Sequence, residues 1–442
     1  MKRWFWLLAA TTPVAFIASV TWYGAFTFVN AYMIRGLGAT NADWTRATLA
    51  MAAGMLVWYV LTTELSAFLG RRRTATLGAG IASLTYLVLP FAREVWMVSG
   101  LMALMGFGTA GHLVAWMPFV AHVGRDRPAR ALAVASLSFN LVSAIAIIVV
   151  GPALQQARFR MAFLSIGAIC VIYVVLFHFL AKHLEKIIDA NRHADDAEEQ
   201  AANPLSFLKL QWHDVRELVY SAFPIVLLLG IYSAPFAFHT SNQLFPNLAR
   251  DIHGMAEDNI ARLVGIGRLP AMLILFLVSP IIDRLNLVRF YGLSLFTDGL
   301  LIAAIALSPN TLVAGGTYLL FYTSHGLVWA FALPAINVCI RPRLRDSAFA
   351  LTAMCEIIGV FSAGLLHNRL IERGTTLPIV FIVSGIIVGI SGFLLLVYSF
   401  STHARQNGQS RKQNEDAGTP PGGCSTIGTE VLQPSNEEEH ST

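Results

Sequence analysis

Long apolar runs, broken by short stretches of charge, glycine and proline, recur twelve times along the chain. They fall at about 6–31, 43–69, 74–92, 96–123, 130–154, 161–183, 217–241, 258–282, 287–307, 311–339, 347–369 and 376–400. An α-helix rises 1.5 Å per residue and the hydrocarbon of a bilayer is about 30 Å thick, so about 20 mostly apolar residues suffice to cross it. The pattern predicts an all-α membrane protein with twelve transmembrane helices. The first run has the Met1-Lys2-Arg3 flank of a signal peptide, but its apolar stretch from Phe5 to Val29 is long for a removable leader and is counted as a span.

Composition agrees with the pattern and narrows the function. Of 442 residues 55% are hydrophobic and only 13% charged, about half the charge of an ordinary soluble chain. There is too little polar surface for a water-soluble enzyme or a disordered scaffold. The net charge of +5 does not point to nucleic acid, because the basic residues are spread along the chain and not clustered on a face with aromatic platforms. They sort instead by topology. With the N-terminus inside, 21 of the 31 Lys and Arg residues fall in or beside predicted cytoplasmic loops, nine fall outside, and Arg268 lies within a span. Both termini are therefore expected in the cytoplasm. Four cysteines, at 170, 339, 355 and 424, show neither disulfide nor zinc spacing.

The longest polar stretch before residue 400, 184–216, divides six spans from six. The predicted organisation is an N-terminal six-helix bundle over 1–183, a central cytoplasmic loop over 184–216, a C-terminal bundle over 217–400 and a disordered cytoplasmic tail over 401–442. Two pseudo-symmetric six-helix bundles with both termini inside resemble the major facilitator superfamily of secondary transporters. Its signature between the second and third helices of each half, roughly Gly-x-x-x-Asp-Arg-x-Gly-Arg-Arg, is split here. The first half keeps Gly70, Arg71 and Arg72 but has Ala67 and Phe68 in place of Asp-Arg. The second keeps Asp283 and Arg284 without the Gly-Arg-Arg. Glu64, one turn before Ala67, can replace the lost acid. The resemblance implies that these residues form a cytoplasmic gate, in which arginines on a tight turn hold an acid at a helix end. The alternative is that they are positive-inside anchors. Phe159-Arg160-Met161-Ala162-Phe163 and Gly151-Pro152 add weaker likenesses.

Gly106-Phe107-Gly108-Thr109-Ala110-Gly111 matches the dinucleotide fingerprint. It lies in an apolar helix with no strand before it, so small residues for close helix packing are the better reading. No cofactor or metal site is expected.

A charge in the bilayer centre is costly and needs a partner or a watery cavity. Glu356, about ten residues into the eleventh span, is near the midplane and is the candidate for proton coupling, since a carboxylate there can carry a proton in one conformation and release it in another. Arg268 in the eighth span offers a fork of donors to a planar oxyanion, or pairs with Glu356. By the resemblance, His112, His325, Asn140 and Asn337 sit on cavity helices and are further substrate-binding candidates, with packing roles as the alternative for the histidines. Asp298, in the ninth span, is expected to bond a neighbouring helix. Tyr23-Gly24 with Trp44-Thr45-Arg46 faintly resembles the first loop of monocarboxylate porters and oxalate-type exchangers, which also use an arginine in the eighth helix.

The expected protein is a monomeric, multi-pass transporter of a bacterial inner membrane, moving a small solute such as an organic anion or metabolite by alternating access. Its partners are the solute, a proton or other coupling ion, and the bilayer. Efflux of a drug or siderophore by antiport is the alternative reading. A membrane-embedded enzyme or a non-transporting sensor is a more distant one, since neither Gly-x-Ser-x-Gly nor His-Glu-x-x-His is present and neither loop nor tail is large enough for a signalling domain.

Overall fold

The computed structural model describes residues 2–123, 141–142, 144–149, 158–189, 222–278, 281, 285–339 and 345–416. Among the described residues there is no strand. The helices are α1 (Lys2–Ala18), α2 (Asn41–Leu69), α3 (Arg71–Val88), α4 (Val95–Val123), α5 (Phe159–Asp189), α6 (Ala222–His239), α7 (Phe245–Asp251), α8 (Glu257–Ile266), α9 (Arg268–Val278), α10 (Leu287–Ala306), α11 (Thr311–Cys339), α12 (Arg345–Glu372) and α13 (Leu377–Asp416). Seven spans among the described residues are long and apolar enough to cross a membrane. One unit, Met1–Tyr398, contains everything discussed below; a second begins at Ser399 and is helical as far as Asp416, within the segment expected to be a disordered tail.

Small residues let these helices touch backbone to backbone. A Cβ on Gly54 would lie 1.9 Å from the Ala103 carbonyl oxygen, and one on Gly106 would lie 2.0 Å from that of Met51. Gly108 meets α3 at Gly78 and Ala82, and Gly111 lies against the Trp58 ring. The glycines of the false fingerprint are thus where α4 closes onto α2 and α3. Gly359 brings α12 onto the Tyr232 carbonyl of α6 in the same way. In addition α2 packs on α12, which joins the helices before the central stretch to those after it.

Two spans are longer than their hydropathy suggests, because wide π-helical turns carry them on. α1 continues through Ser19–Val29 and Tyr32–Gly36, and α6 continues through Thr240–Leu244 into α7, with Pro246 in the first turn of α7. The seventh span therefore runs to Asp251 and not 241. Polar residues that hydropathy places at its edge are helical and buried.

A buried polar cluster and the candidate transport site

The π turn Thr240–Leu244 presents five consecutive buried residues, four of them polar. Such turns break the regular i to i−4 ladder and are frequent at functional sites. Asn242 accepts a bond from Arg268 Nη2 at 2.9 Å, and the same nitrogen donates to the Tyr322 hydroxyl at 2.9 Å. Tyr322 also donates to Asn242 Oδ1. The guanidinium lies over the Tyr322 ring, 4.2 Å from its centroid, and Tyr318, stacked on Phe245, backs Tyr322. Arg268 is 3% exposed. A neutral amide, a neutral hydroxyl and an aromatic face meet its guanidinium.

One turn earlier, His239 Nδ1 bonds the Gln243 side-chain amide. Trp22 and Phe26 of the first π segment flank the His239 ring at 6.1 and 5.6 Å. On α12, His367 Nε2 lies 3.1 Å from Thr240 Oγ1 and 3.0 Å from Ser384 Oγ. His239 Nε2, Gln243 Oε1, His367 Nδ1 and both amide atoms of Asn30 are buried and meet no hydrogen-bond partner among the described residues. Each such group costs about 1–3 kcal/mol while unmatched. Those of His239, Gln243 and His367 gather around the π turn.

Deeper in the bundle, His325 Nδ1 lies 2.7 Å from Asp298 Oδ2, and the Trp329 indole donates to His325 Nε2 at 3.1 Å. An indole N–H can only donate, so Nε2 must accept and the ring proton sits on Nδ1, facing the carboxylate. Phe238 and Phe321 stack on the same imidazole at 5.6 and 5.3 Å. His325 is thus engaged at both nitrogens. Asp298, fully buried, bonds a neighbouring helix as its peripheral span suggests; its second oxygen has no partner among the described residues. Glu356 is half-buried on α12, with no hydrogen bond among the described residues. It and Asp298 both lie within electrostatic range of the Tyr291 hydroxyl.

A row of contacts ties α2 to the π turn, α7 and α12. The Trp44 indole donates to the Gln243 carbonyl at 2.9 Å, inside the π turn itself. Thr45 donates to Asn368 at 3.0 Å, and Arg46 reaches Glu372 Oε1 through Nε and Nη2 at 3.0 and 2.9 Å. Asn247 donates to Asn41 at 2.6 Å, and Asn41 to Asp251 at 3.3 Å.

A family model described as Major Facilitator Superfamily matches residues 11–364. The chain belongs to the Major Facilitator Superfamily. It is accordingly a multi-pass integral membrane protein of a transporter family. Its fold is similar to that of the nucleoside transporter NupG (14% identity, TM-score 0.67, covering 89% of this chain and 99% of that one). It is also similar to a POT family transporter in complex with 5-aminolevulinic acid (13%, TM-score 0.69, 89% and 96%) and to tetrameric PepTSo2 (12%, TM-score 0.62, 92% and 99%). A search of curated protein sequences finds no match.

The remaining candidates distribute as follows in this superfamily member. His112 is fully buried on α4, with Nδ1 3.2 Å from the Ala75 carbonyl and Nε2 3.4 Å from that of Val14, so it ties three helices together. Asn140 lies outside the described residues, and Asn337 is on α11 with its side chain outside them. Of the gate residues, Gly70 makes the turn between α2 and α3 at φ 80°, where an L side chain would be strained. Arg72 donates to His178 Nε2 at 3.3 Å. The Glu64 and Arg71 side chains, and Asp283 and Arg284 altogether, lie outside the described residues.

The sequence reading missed Asn242, Tyr322, His239, Gln243 and His367. The signal was the polar run His239-Thr240-Ser241-Asn242-Gln243, hidden because regular helical accounting ends the span at 241.

Proposed function

We propose that this protein is a secondary active transporter of a small polar solute, working by alternating access between two six-helix bundles, and that Arg268 binds an oxyanion group of that solute. The observation that carries the reading is the row of contacts from Asn41, Trp44, Thr45 and Arg46 of α2 to the π turn of the buried cluster, α7 and α12. A bundle closed by such a row over unmatched polar groups has the form of one state in a cycle that opens and reloads. A carboxylate or phosphate can take over the Nη2 donor now given to Asn242 and Tyr322, drawing on the fork of guanidinium donors that a single ammonium lacks.

Proton coupling through Glu356 belongs to the same proposal, as do a full set of twelve helices, a monomeric unit, and cytoplasmic termini in a bacterial inner membrane. Uptake into proteoliposomes under an imposed pH gradient tests it, with radiolabelled monocarboxylates, nucleotides, nucleosides and dipeptides as probes. The expected result is gradient-driven accumulation of an anionic probe, lost in Arg268→Ala and uncoupled from pH in Glu356→Gln. Equal transport of that probe by Arg268→Ala would overturn the anion assignment, and undiminished proton drive in Glu356→Gln the coupling assignment.

A further inference from the structure

An open groove of about 460 Å³ runs along one face of α3, lined by Leu69, Arg73, Thr76, Leu77, Gly80, Ile81 and Leu84, with His178 of α5 on its far wall. Arg73, Leu77, Gly80, Ile81 and Leu84 recur at helical spacing, so the groove follows the helix axis. Arg73 and Leu84 are eleven residues apart, about 16 Å at 1.5 Å per residue, which is about the depth of one leaflet's hydrocarbon. Its floor is Gly80, where an added Cβ would meet nothing within 4 Å. Its walls are apolar, and Leu77 and Leu84 remain 43% and 55% exposed.

One end of the groove is basic. Arg72, Arg73 and Lys182 all lie within electrostatic range of His178. Arg72 donates to His178 Nε2, which leaves Nδ1 to carry the ring proton, 3.5 Å from Thr76 Oγ1. His178 is therefore neutral in this arrangement and spans the groove mouth as a fixed wall. Arg73 and Lys182 are exposed, and neither enters an ion pair among the described residues. By the orientation proposed above, this end faces the cytoplasm, where anionic lipid headgroups concentrate.

We infer that this groove is a binding site for one anionic phospholipid of the inner leaflet, its phosphate held by Arg73 and Lys182 and one acyl chain lying over Gly80 between Leu77 and Leu84. A chain-length apolar channel ending at Arg73, with Lys182 beside its His178 wall, matches an amphiphile with a negative head, and a free anion would leave the channel unfilled. The inference rests on the proposed orientation for its leaflet, and on no substrate.

Native mass spectrometry of the purified full chain tests it directly, with dioleoylphosphatidylglycerol, dioleoylphosphatidylcholine and inorganic phosphate as probes. The expected result is one tightly retained phosphatidylglycerol, preferred over phosphatidylcholine by on the order of tenfold and not displaced by millimolar inorganic phosphate. Arg73→Gln with Lys182→Gln should abolish the preference. Gly80→Leu, whose Cβ meets nothing within 4 Å and whose side chain fills the floor, should lower retention of both lipids while melting as wild type does. Equal retention of the two lipids by the wild type, displacement by inorganic phosphate, or full retention in both variants would each overturn the site. Because the readout is lipid mass and not uptake, a wrong transport assignment leaves this result standing.

Discussion

Arg268 meets an amide, a hydroxyl and an aromatic face, and a lysine would lose the stacking on the last. Both hydrogen bonds leave the one Nη2, but an ammonium has no planar face to lay on Tyr322. Arg268→Lys should keep the charge yet raise the uptake KM at least tenfold, measured at constant expression. At His325 the informative change is Trp329→Phe, which removes a part-buried donor from Nε2. It should cost about 1–3 kcal/mol of stability, read as a lowered melting temperature in detergent. Arg268 was legible as a candidate because charge within an apolar run is rare and costly, and Glu356 was named on the same ground. Asn242 and Tyr322 were not, since a neutral amide or phenol in a helix carries no such signature until its partner is known.

At the scale of elements, the helices follow from the apolar runs because each must satisfy its own backbone in lipid. Where they touch is set by glycine. Gly54→Ala would press a methyl to 1.9 Å from the Ala103 oxygen and should force α2 and α4 apart, whereas Gly80→Ala faces open space. The expected pair of results is a clear loss of thermal stability for the first, about 1–3 kcal/mol, and almost none for the second. The sequence reading of Gly106, Gly108 and Gly111 as packing residues rested on context, and their contacts with Met51, Gly78 and Trp58 supply the reason. Element ends were the less legible part. A π turn adds residues without adding hydrophobicity, so the polar end of the seventh span looked like a loop.

For the whole molecule, the contacts of α2 with the π turn, α7 and α12 are a testable joint. Cysteines replacing Thr45 and Asn368, whose side chains meet at 3.0 Å, should cross-link under oxidation and stop transport, with recovery on reduction; uptake that continues in the cross-linked protein would show that this joint does not move. Trp44→Ala should weaken the same closure and raise labelling of a cysteine at Ser241 by a membrane-impermeant reagent. The π turns also bear on how this chain can be compared with its relatives. Each wide turn holds more residues per rotation than the α-helix around it, so beyond Val29 and Leu244 the sequence runs ahead of the helical phase. A residue-by-residue alignment to a relative lacking those turns slips there, and functional positions carried over from it will point to the wrong side of the first and seventh spans unless a gap is opened inside the helix.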